Sequence, residues 1–374
     1  MNRNAFITCG HYLNNDGSYS IGGIQTYIQT LSTVLNEMGY SIHIYQYSDC
    51  SFEIEKDNTV VHGVNTGNRE APRLLMVAIN RKIDNENDLL IFGTDYEIAS
   101  NKAKHSIAIQ HGIAWDICKQ EDVSYISNIL AIWRNALGSI VKYNRYKKSS
   151  NLVCVDYNFV NWYRTQVKHI DNALFVIPNF AHIEQEIAQR EEPVSVIFAR
   201  RFVEYRGTRI FAAAIKQVLE DYPAICVTLA GEGPDEKWLK NNLADYPQVK
   251  FICFTAEESV AVHSKHHIAV VPTWGSEGTS LSLLEAMAAG CAVVCTNVGG
   301  MTNIVIDGYN GKIVNPDVQS LVVAIEKLIA DETLRQKIAQ HGNETVQYGF
   351  SYDKWKNAWI DTINVIQHGG KRSQ

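Results

Sequence analysis

The chain has no C-x-x-C pair, no long block of one charge sign and no low-complexity tract, and it shows no internal repeat. Its eight cysteines (Cys9, Cys50, Cys118, Cys154, Cys226, Cys253, Cys291 and Cys295) are scattered, several of them inside apolar strand-like runs. That scatter predicts buried free thiols in a reducing cytosol. Acids and bases are interspersed, with a net charge of −6, which argues against a dedicated nucleic-acid protein and leaves any basic surface local. No apolar run approaches the roughly 18 residues of a membrane span. Met1-Asn2-Arg3-Asn4 passes almost directly into a short strand, so the expectation is a cytoplasmic protein without a membrane-crossing helix. The full G-x-G-x-x-G fingerprint is also missing, which disfavours a nicotinamide cofactor.

What is present is enough apolar sequence for two domains: 374 residues, 46% of them hydrophobic. A strand near Ala5 to Cys9 leads through a Gly/Asn/Ser-rich loop, with Gly17, Gly22 and Gly23, into a helical pattern of Ile24, Tyr27, Ile28, Leu31, Val34, Leu35 and Met38. Gly39 ends that pattern. Strand-like runs follow at Ser41 to Tyr45, Leu89 to Phe92, Ile107 to Ile109, Leu152 to Val155 and Leu174 to Ile177, most of them separated by helical segments. After Pro178-Asn179-Phe180 and a polar linker from His182 to Pro193, the alternation starts again. Strands are predicted at Val194 to Phe198, Ile225 to Ala230, Val249 to Ile252, Ile268 to Val271, Ala292 to Cys295 and Lys312 to Val314, with a helix near Thr208 to Glu220. Alternating strands and helices imply parallel sheets covered on both faces. A last helix, Tyr352 to Gln367, carries Trp355, Trp359, Ile360, Ile363 and Ile366 on one side.

Several residues on this frame can carry chemistry. Glu277 and Glu285 lie at a strand–loop–helix junction, at the carboxyl edge of a parallel sheet where open α/β sheets bind ligands. Arg200 and Arg206 follow the first strand of the second half, and two guanidiniums there suit a diphosphate as well as they suit a solvated pair balanced by Glu204. Gly22-Gly23 before a helix fits an anion site or a plain loop. Gly231-Glu232-Gly233-Pro234 fits a close approach to a ligand or a tight turn. Gln110-His111-Gly112 places an imidazole at a strand end, in an inter-domain cleft on this reading of the sheets. The segment 129–148, with Trp133, Arg134, Lys142, Arg145, Lys147 and Lys148, fits contact with an anionic membrane surface or a solvated face. His263-Ser264-Lys265-His266-His267 lacks partners for a tetrahedral metal set and reads as a surface helix end.

In order along the chain, these pieces resemble the retaining GT-B glycosyltransferases, in particular family 4, or glycosyl transferases group 1. The resemblance rests on Gly22-Gly23, Val176-Ile177-Pro178-Asn179, Arg200 with Arg206-Gly207, Ala230-Gly231-Glu232-Gly233-Pro234, Glu277 to Gly290 with its E-x7-E spacing, and Asp307-Gly308-Tyr309-Asn310-Gly311. It implies an α/β GT-B fold, two Rossmann-like doubly wound domains facing each other across a cleft. The domains would be an acceptor-binding one over 1–180 and a donor-binding one over 181–348, with a helix over 349–374 packing back on the first. It further implies that Glu277 binds donor-sugar hydroxyls, Glu285 the ribose hydroxyls, and Arg200 and Arg206 the diphosphate. Backbone N–H groups at Gly22, Gly23, Gly278, Thr279 and Ser280 would add to the anion site. Gly231 and the backbone of Cys253, Phe254 and Thr255 would meet the nucleotide, and His111 would lie near the transferred sugar.

The function so implied is retaining, metal-independent transfer of a hexose-type sugar from a UDP- or GDP-linked donor to a glycan or lipid-linked acceptor, in surface polysaccharide biosynthesis. No cofactor and no nucleic acid enter, and the site of action would be the cytoplasm, at the inner face of the cell membrane. Four positions depart from the family pattern: Arg206 stands for a common Lys, Thr279-Ser280 for an aromatic residue and Gly, Phe180 for a Gly, and Phe254 for a Gly. These departures bear on which donor is used. Competing readings are a nucleotide-sugar epimerase of the same fold and a catalytically silent nucleotide-sugar-binding subunit.

Overall fold

The computed structural model describes residues 3–20, 22–67, 69–113, 137, 138, 141, 143–166, 173–183, 190–275 and 277–368. These form two compact units. Of the described residues, the first holds those up to His111, those from 137 to 177 and those from Lys356 on; the second holds Gly112, Ile113 and those from Pro178 to Trp355.

The first unit is built on an eight-stranded sheet in the order β3-β4-β2-β1-β5-β6-β7-β8. Its strands are β1 (Arg3–Thr8), β2 (Tyr40–Ser48), β3 (Phe52–Lys56), β4 (Thr59–Asn65), β5 (Leu89–Phe92), β6 (His105–Gln110), β7 (Asn151–Cys154) and β8 (Ala173–Val176). All pairings are parallel except β3 with β4. That hairpin adds an antiparallel edge to the parallel sheet expected from the alternation of strands and helices. Asp57 and Asn58 turn it with φ of 48° and 58°, the left-handed pair that a two-residue hairpin needs. It escaped sequence reading because β3 is a half-exposed edge strand without an apolar run. The helix Gly23–Glu37 buries Tyr27, Ile28, Leu31, Val34 and Leu35. The helix Tyr352–His368 returns to this unit, where buried Trp359 donates its indole N–H to the Tyr27 hydroxyl at 2.9 Å and Lys356 pairs with Glu37.

The second unit carries a six-stranded, all-parallel sheet in the order β11-β10-β9-β12-β13-β14. Its strands are β9 (Ser195–Ala199), β10 (Cys226–Ala230), β11 (Val249–Ile252), β12 (Ile268–Val271), β13 (Ala292–Thr296) and β14 (Lys312–Val314). Strand period sorts its residues onto two cores. Val196, Phe198, Val227, Leu229, Ile268, Val270 and Val294 pack with the helices Thr208–Asp221 and Val318–Ala330. Ile197, Ala199, Ala269, Val271, Val293 and Cys295 pack with Leu283, Leu284 and Met287 of the helix Leu281–Ala288. Each buried aliphatic or aromatic side chain stabilises by about 1.5–3 kcal/mol relative to exposure. These continuous apolar runs are what made the strands visible in sequence.

Each sheet has one place where strand order reverses, beside β1 and β5 in the first and beside β9 and β12 in the second. Chains leaving the carboxyl ends of such strands diverge and open a crevice, the usual ligand position in this architecture. Among the described cysteines, Cys9, Cys154, Cys291 and Cys295 are buried as expected, but Cys50 and Cys253 are exposed. No helix among the described residues is long and apolar enough to cross a membrane.

Candidate functional site

Chain reversal in the second sheet brings together residues far apart in sequence. Arg200 follows the last residue of β9, and Thr273 and Glu277 lie just after β12. One carboxylate oxygen of Glu277, Oε2, accepts hydrogen bonds from Arg200 Nη2 at 2.9 Å, from the Thr273 hydroxyl at 3.1 Å and from Arg206 Nη1. Arg200 Nη1 also donates to the Thr273 hydroxyl oxygen, and Thr296 ties Thr273 down by donating to its carbonyl. The other oxygen, Oε1, makes no hydrogen bond among the described residues. Glu277 and Arg200 are 8% and 9% exposed, so this network is shielded from bulk water. Burial pulls Glu277 toward the neutral acid, but the guanidiniums of Arg206 and Arg200 outweigh it and hold the carboxyl below its usual range. Burial lowers Arg200 to about 10, against the pull of Glu277. Arg206 is raised, since Glu277 and Tyr205 overcome its desolvation. Two cations share one carboxylate, so the cluster keeps a net positive charge suited to a dianion.

The loop then enters the helix Leu281–Ala288. Ser280, its N-cap, is 1% exposed; among the described residues its hydroxyl has no partner, and it does not cap the helix. A helix N-terminus with an uncommitted hydroxyl favours an anion. Asn179 donates to the Thr279 carbonyl at 2.5 Å, which gives the Pro178-Asn179 motif its place. Glu285, inside the helix, accepts from the Ser259 hydroxyl at 2.7 Å, and burial raises its carboxyl above the usual value. Gly231 has a φ of +137°, and a side chain there would strike the Arg200 carbonyl. Its glycine character is therefore a packing need beside Arg200. Cys253 and Thr255 are exposed and Phe254 is half-buried; the Thr255 N–H is already taken by the Glu258 carboxylate at 2.8 Å.

Sequence reasoning missed three contributors here: Thr273, Ser259 and the pair Gly299-Gly300. A Cβ on Gly299, whose φ is +54°, would collide with the Glu277 carbonyl, and one on Gly300 would meet the backbone of Gly278. The Gly300 N–H bonds the Glu277 carbonyl at 2.9 Å. The Gly-Gly step after β13 was the available signal.

In the first unit, His111 follows β6 and its Nε2 lies 2.9 Å from the Gly93 carbonyl, while its ring meets Tyr27 edge-on at 5.0 Å between centroids. A carbonyl can only accept, so Nε2 carries the proton and Nδ1 is left as an acceptor. Burial pushes the imidazole down to about 4, so it is neutral near pH 7. Gly22 caps the helix Gly23–Glu37 without a side-chain hydrogen bond. A further acid, Glu97, sits buried beside the end of β1 and was not singled out from sequence.

Other candidates resolve differently. His263 and His266 are buried, not on a surface helix end: their Nδ1 atoms bond the carbonyls of Ser259 and Val262 at 2.8 and 2.9 Å. Among the described residues, no group of three His, Cys, Asp or Glu is placed to hold a metal ion. Most of the basic segment 129–148, including Trp133, Arg134 and Lys142, lies outside the described residues.

Residues 179–345 match the family described as glycosyl transferases group 1. Glycogen synthase of Mycobacterium tuberculosis is 25% identical over 190 residues, 50% of this chain and 46% of that protein, so the chain spans about half the length of that relative. The uncharacterized glycosyltransferase MJ1178 of Methanocaldococcus jannaschii is 28% identical over 353 residues, 89% of this chain and 92% of that one. Sucrose-phosphate synthase from Thermosynechococcus elongatus shares the fold with a TM-score of 0.78 at 16% identity, covering 98% of this chain and 100% of that one. Anabaena Alr3699/HepE in complex with UDP does so with a TM-score of 0.70 at 16% identity, over 97% and 99% of the two chains. Arg200, Arg206, Glu277 and Glu285 all lie inside the matched residues, so the chain carries a glycosyl transferases group 1 domain over 179–345 and has the GT-B fold.

Proposed function

We propose that this chain transfers a hexose-type sugar, with retention at the anomeric carbon, from a nucleotide diphosphate donor to a glycan or lipid-linked acceptor in surface-polysaccharide assembly. The observation that carries this reading is the divided carboxylate of Glu277, with Oε2 saturated by Arg200, Arg206 and Thr273 and Oε1 open. An oxygen so held is oriented to accept a sugar hydroxyl, and the two guanidiniums beside it face a diphosphate. As the bond from the anomeric carbon to phosphate oxygen breaks, its electron pair goes to the departing nucleoside diphosphate. The guanidiniums, the Ser280 hydroxyl and the helix N-terminus then stabilise growing charge, so they bind the transition state more tightly than the ground state. The acceptor hydroxyl attacks from the same face and its proton passes to the leaving phosphate oxygen. Glu285, held by Ser259, serves the ribose hydroxyls, and Gly231 with Cys253 to Thr255 serves the base. His111 and Gly22-Gly23 serve the sugar and acceptor side. The UDP held by the Anabaena neighbour supports a nucleotide-linked donor. The acceptor class, and action at the inner face of the cell membrane, rest on the basic Trp/Tyr segment 129–148 of the sequence.

The test is incubation with a panel of UDP- and GDP-sugars, with and without lipid-linked acceptors, followed by nucleoside diphosphate release and by the anomeric configuration of the product. One donor is expected to release its nucleoside diphosphate in step with transfer and with retention. Tight binding without release across the panel would indicate a silent binding subunit, and sugar interconversion without transfer would indicate an epimerase.

A further inference from the structure

A second polar network, in the first unit, lies at the reversal point of its own sheet and centres on Glu97, an acid with no role in the proposed transfer. Glu97 is 4% exposed. Its Oε2 accepts from the Thr8 hydroxyl at 2.6 Å, and its Oε1 accepts from the Gly10 N–H at 2.5 Å. Thr8 ends β1, and Gly10 opens the loop that leads to Gly22-Gly23. The Thr8 hydroxyl oxygen is also 3.3 Å from the Gly93 N–H, which bonds the Thr8 carbonyl at 3.0 Å. Gly93 in turn offers the carbonyl that fixes the His111 tautomer. One buried carboxyl thus links the starts of two loops to the imidazole.

We propose that Glu97 is a positioning residue that holds the β1 loop and, through Thr8 and Gly93, the orientation of His111, and that its protonation alters this frame. The proposal rests on the glycosyltransferase reading only where it concerns turnover. Ionised Glu97 accepts both the Gly10 N–H and the Thr8 O–H. Once protonated, its own O–H donates to Thr8, whose hydroxyl hydrogen then loses its carboxylate acceptor and crowds the Gly93 N–H. Desolvation pushes the carboxyl up to about 7, with smaller opposing pulls from Thr8 and Gly10. The titratable groups facing it are Glu70, Cys9 on the β1 end and Tyr47 on β2, none of which is a base that would hold it ionised. The change of frame therefore falls near neutrality.

The full chain, Glu97→Gln and Glu97→Ala test this. A glutamine accepts from Gly10 and donates to Thr8, so it reproduces the protonated arrangement. With the donor found in the panel above, wild-type kcat is expected to rise through pH 7 while the KM for donor stays level. Glu97→Gln should run flat at the acid-side value, and Glu97→Ala about tenfold lower, since a buried N–H loses its acceptor. Independently of any donor, histidine-labelled NMR should show a step in the His111 shifts near pH 7 in the wild type and none in Glu97→Gln. A step that survives in Glu97→Gln, or Ala and Gln variants that behave alike, overturns the proposal. If no donor turns over, the function fails and the NMR step alone decides the role of Glu97.

Discussion

Glu277 illustrates how the two oxygens of a single carboxylate come to differ. Its spacing from Glu285 marked it in sequence, yet nothing in the sequence linked Oε2 to Arg200, 77 positions away, or to Thr273. Breaking one member of such a buried charge cluster leaves the rest uncompensated, which costs about 3–5 kcal/mol. Glu277→Gln is therefore expected to lower thermal stability by an amount of that order and to reduce transfer by at least about a hundredfold. Nucleoside diphosphate binding should survive, because Arg200 and Arg206 gain a free anion where they lose a carboxylate. Thermal melts with and without UDP and GDP check this: the variant should be stabilised more than the wild type by the nucleotide it binds. At this scale Arg200, Arg206, Glu277 and Glu285 were legible because charge at a strand end or helix entrance stands out. Thr273, Ser259 and Glu97 were not, because a hydroxyl or an acid in a loop carries no periodic signal and its burial depends on distant chain.

Elements were legible in proportion to how fully they are buried. Ile268–Val271 and Leu89–Phe92 match the predicted strands, since a strand covered on both faces is an uninterrupted apolar run. The β3–β4 hairpin was missed because an edge strand need not be apolar, and its Asp57-Asn58 turn is only one of many polar pairs. The loop after β13 is the element against which the backbone of Glu277 and Gly278 packs. Gly299→Ala adds a methyl group that collides with the Glu277 carbonyl at a positive φ, so the Glu277 loop must move. We expect a loss of about 1–3 kcal/mol in stability together with a fall in kcat of about a hundredfold. Gly349→Ala, which meets nothing within 4 Å, should leave both unchanged. Melting curves and steady-state kinetics of the two variants make the comparison.

For the molecule as a whole, the chain makes two sheets, parallel but for the β3–β4 edge of the first, and then sends its final helix back to the first unit. Trp359 is completely buried there and donates to Tyr27, which also lies against His111. Trp359→Ala should cost about 3–5 kcal/mol through the cavity it leaves. Hydrogen exchange should rise in the helix Gly23–Glu37 and leave the second sheet, β9 to β14, protected; equal deprotection of both units would contradict the assignment of this helix to the first. What the sequence by itself determined was the alternation of buried strands and amphipathic helices, the sites where glycines and charges cluster, and hence the match of residues 179–345 to a glycosyltransferase family. Those properties depend on neighbours a few residues apart. Tertiary structure alone decided which oxygen of Glu277 is occupied, which proton His111 carries and that Glu97 is buried, because each depends on strand order, which brings loops distant in the chain to one sheet edge.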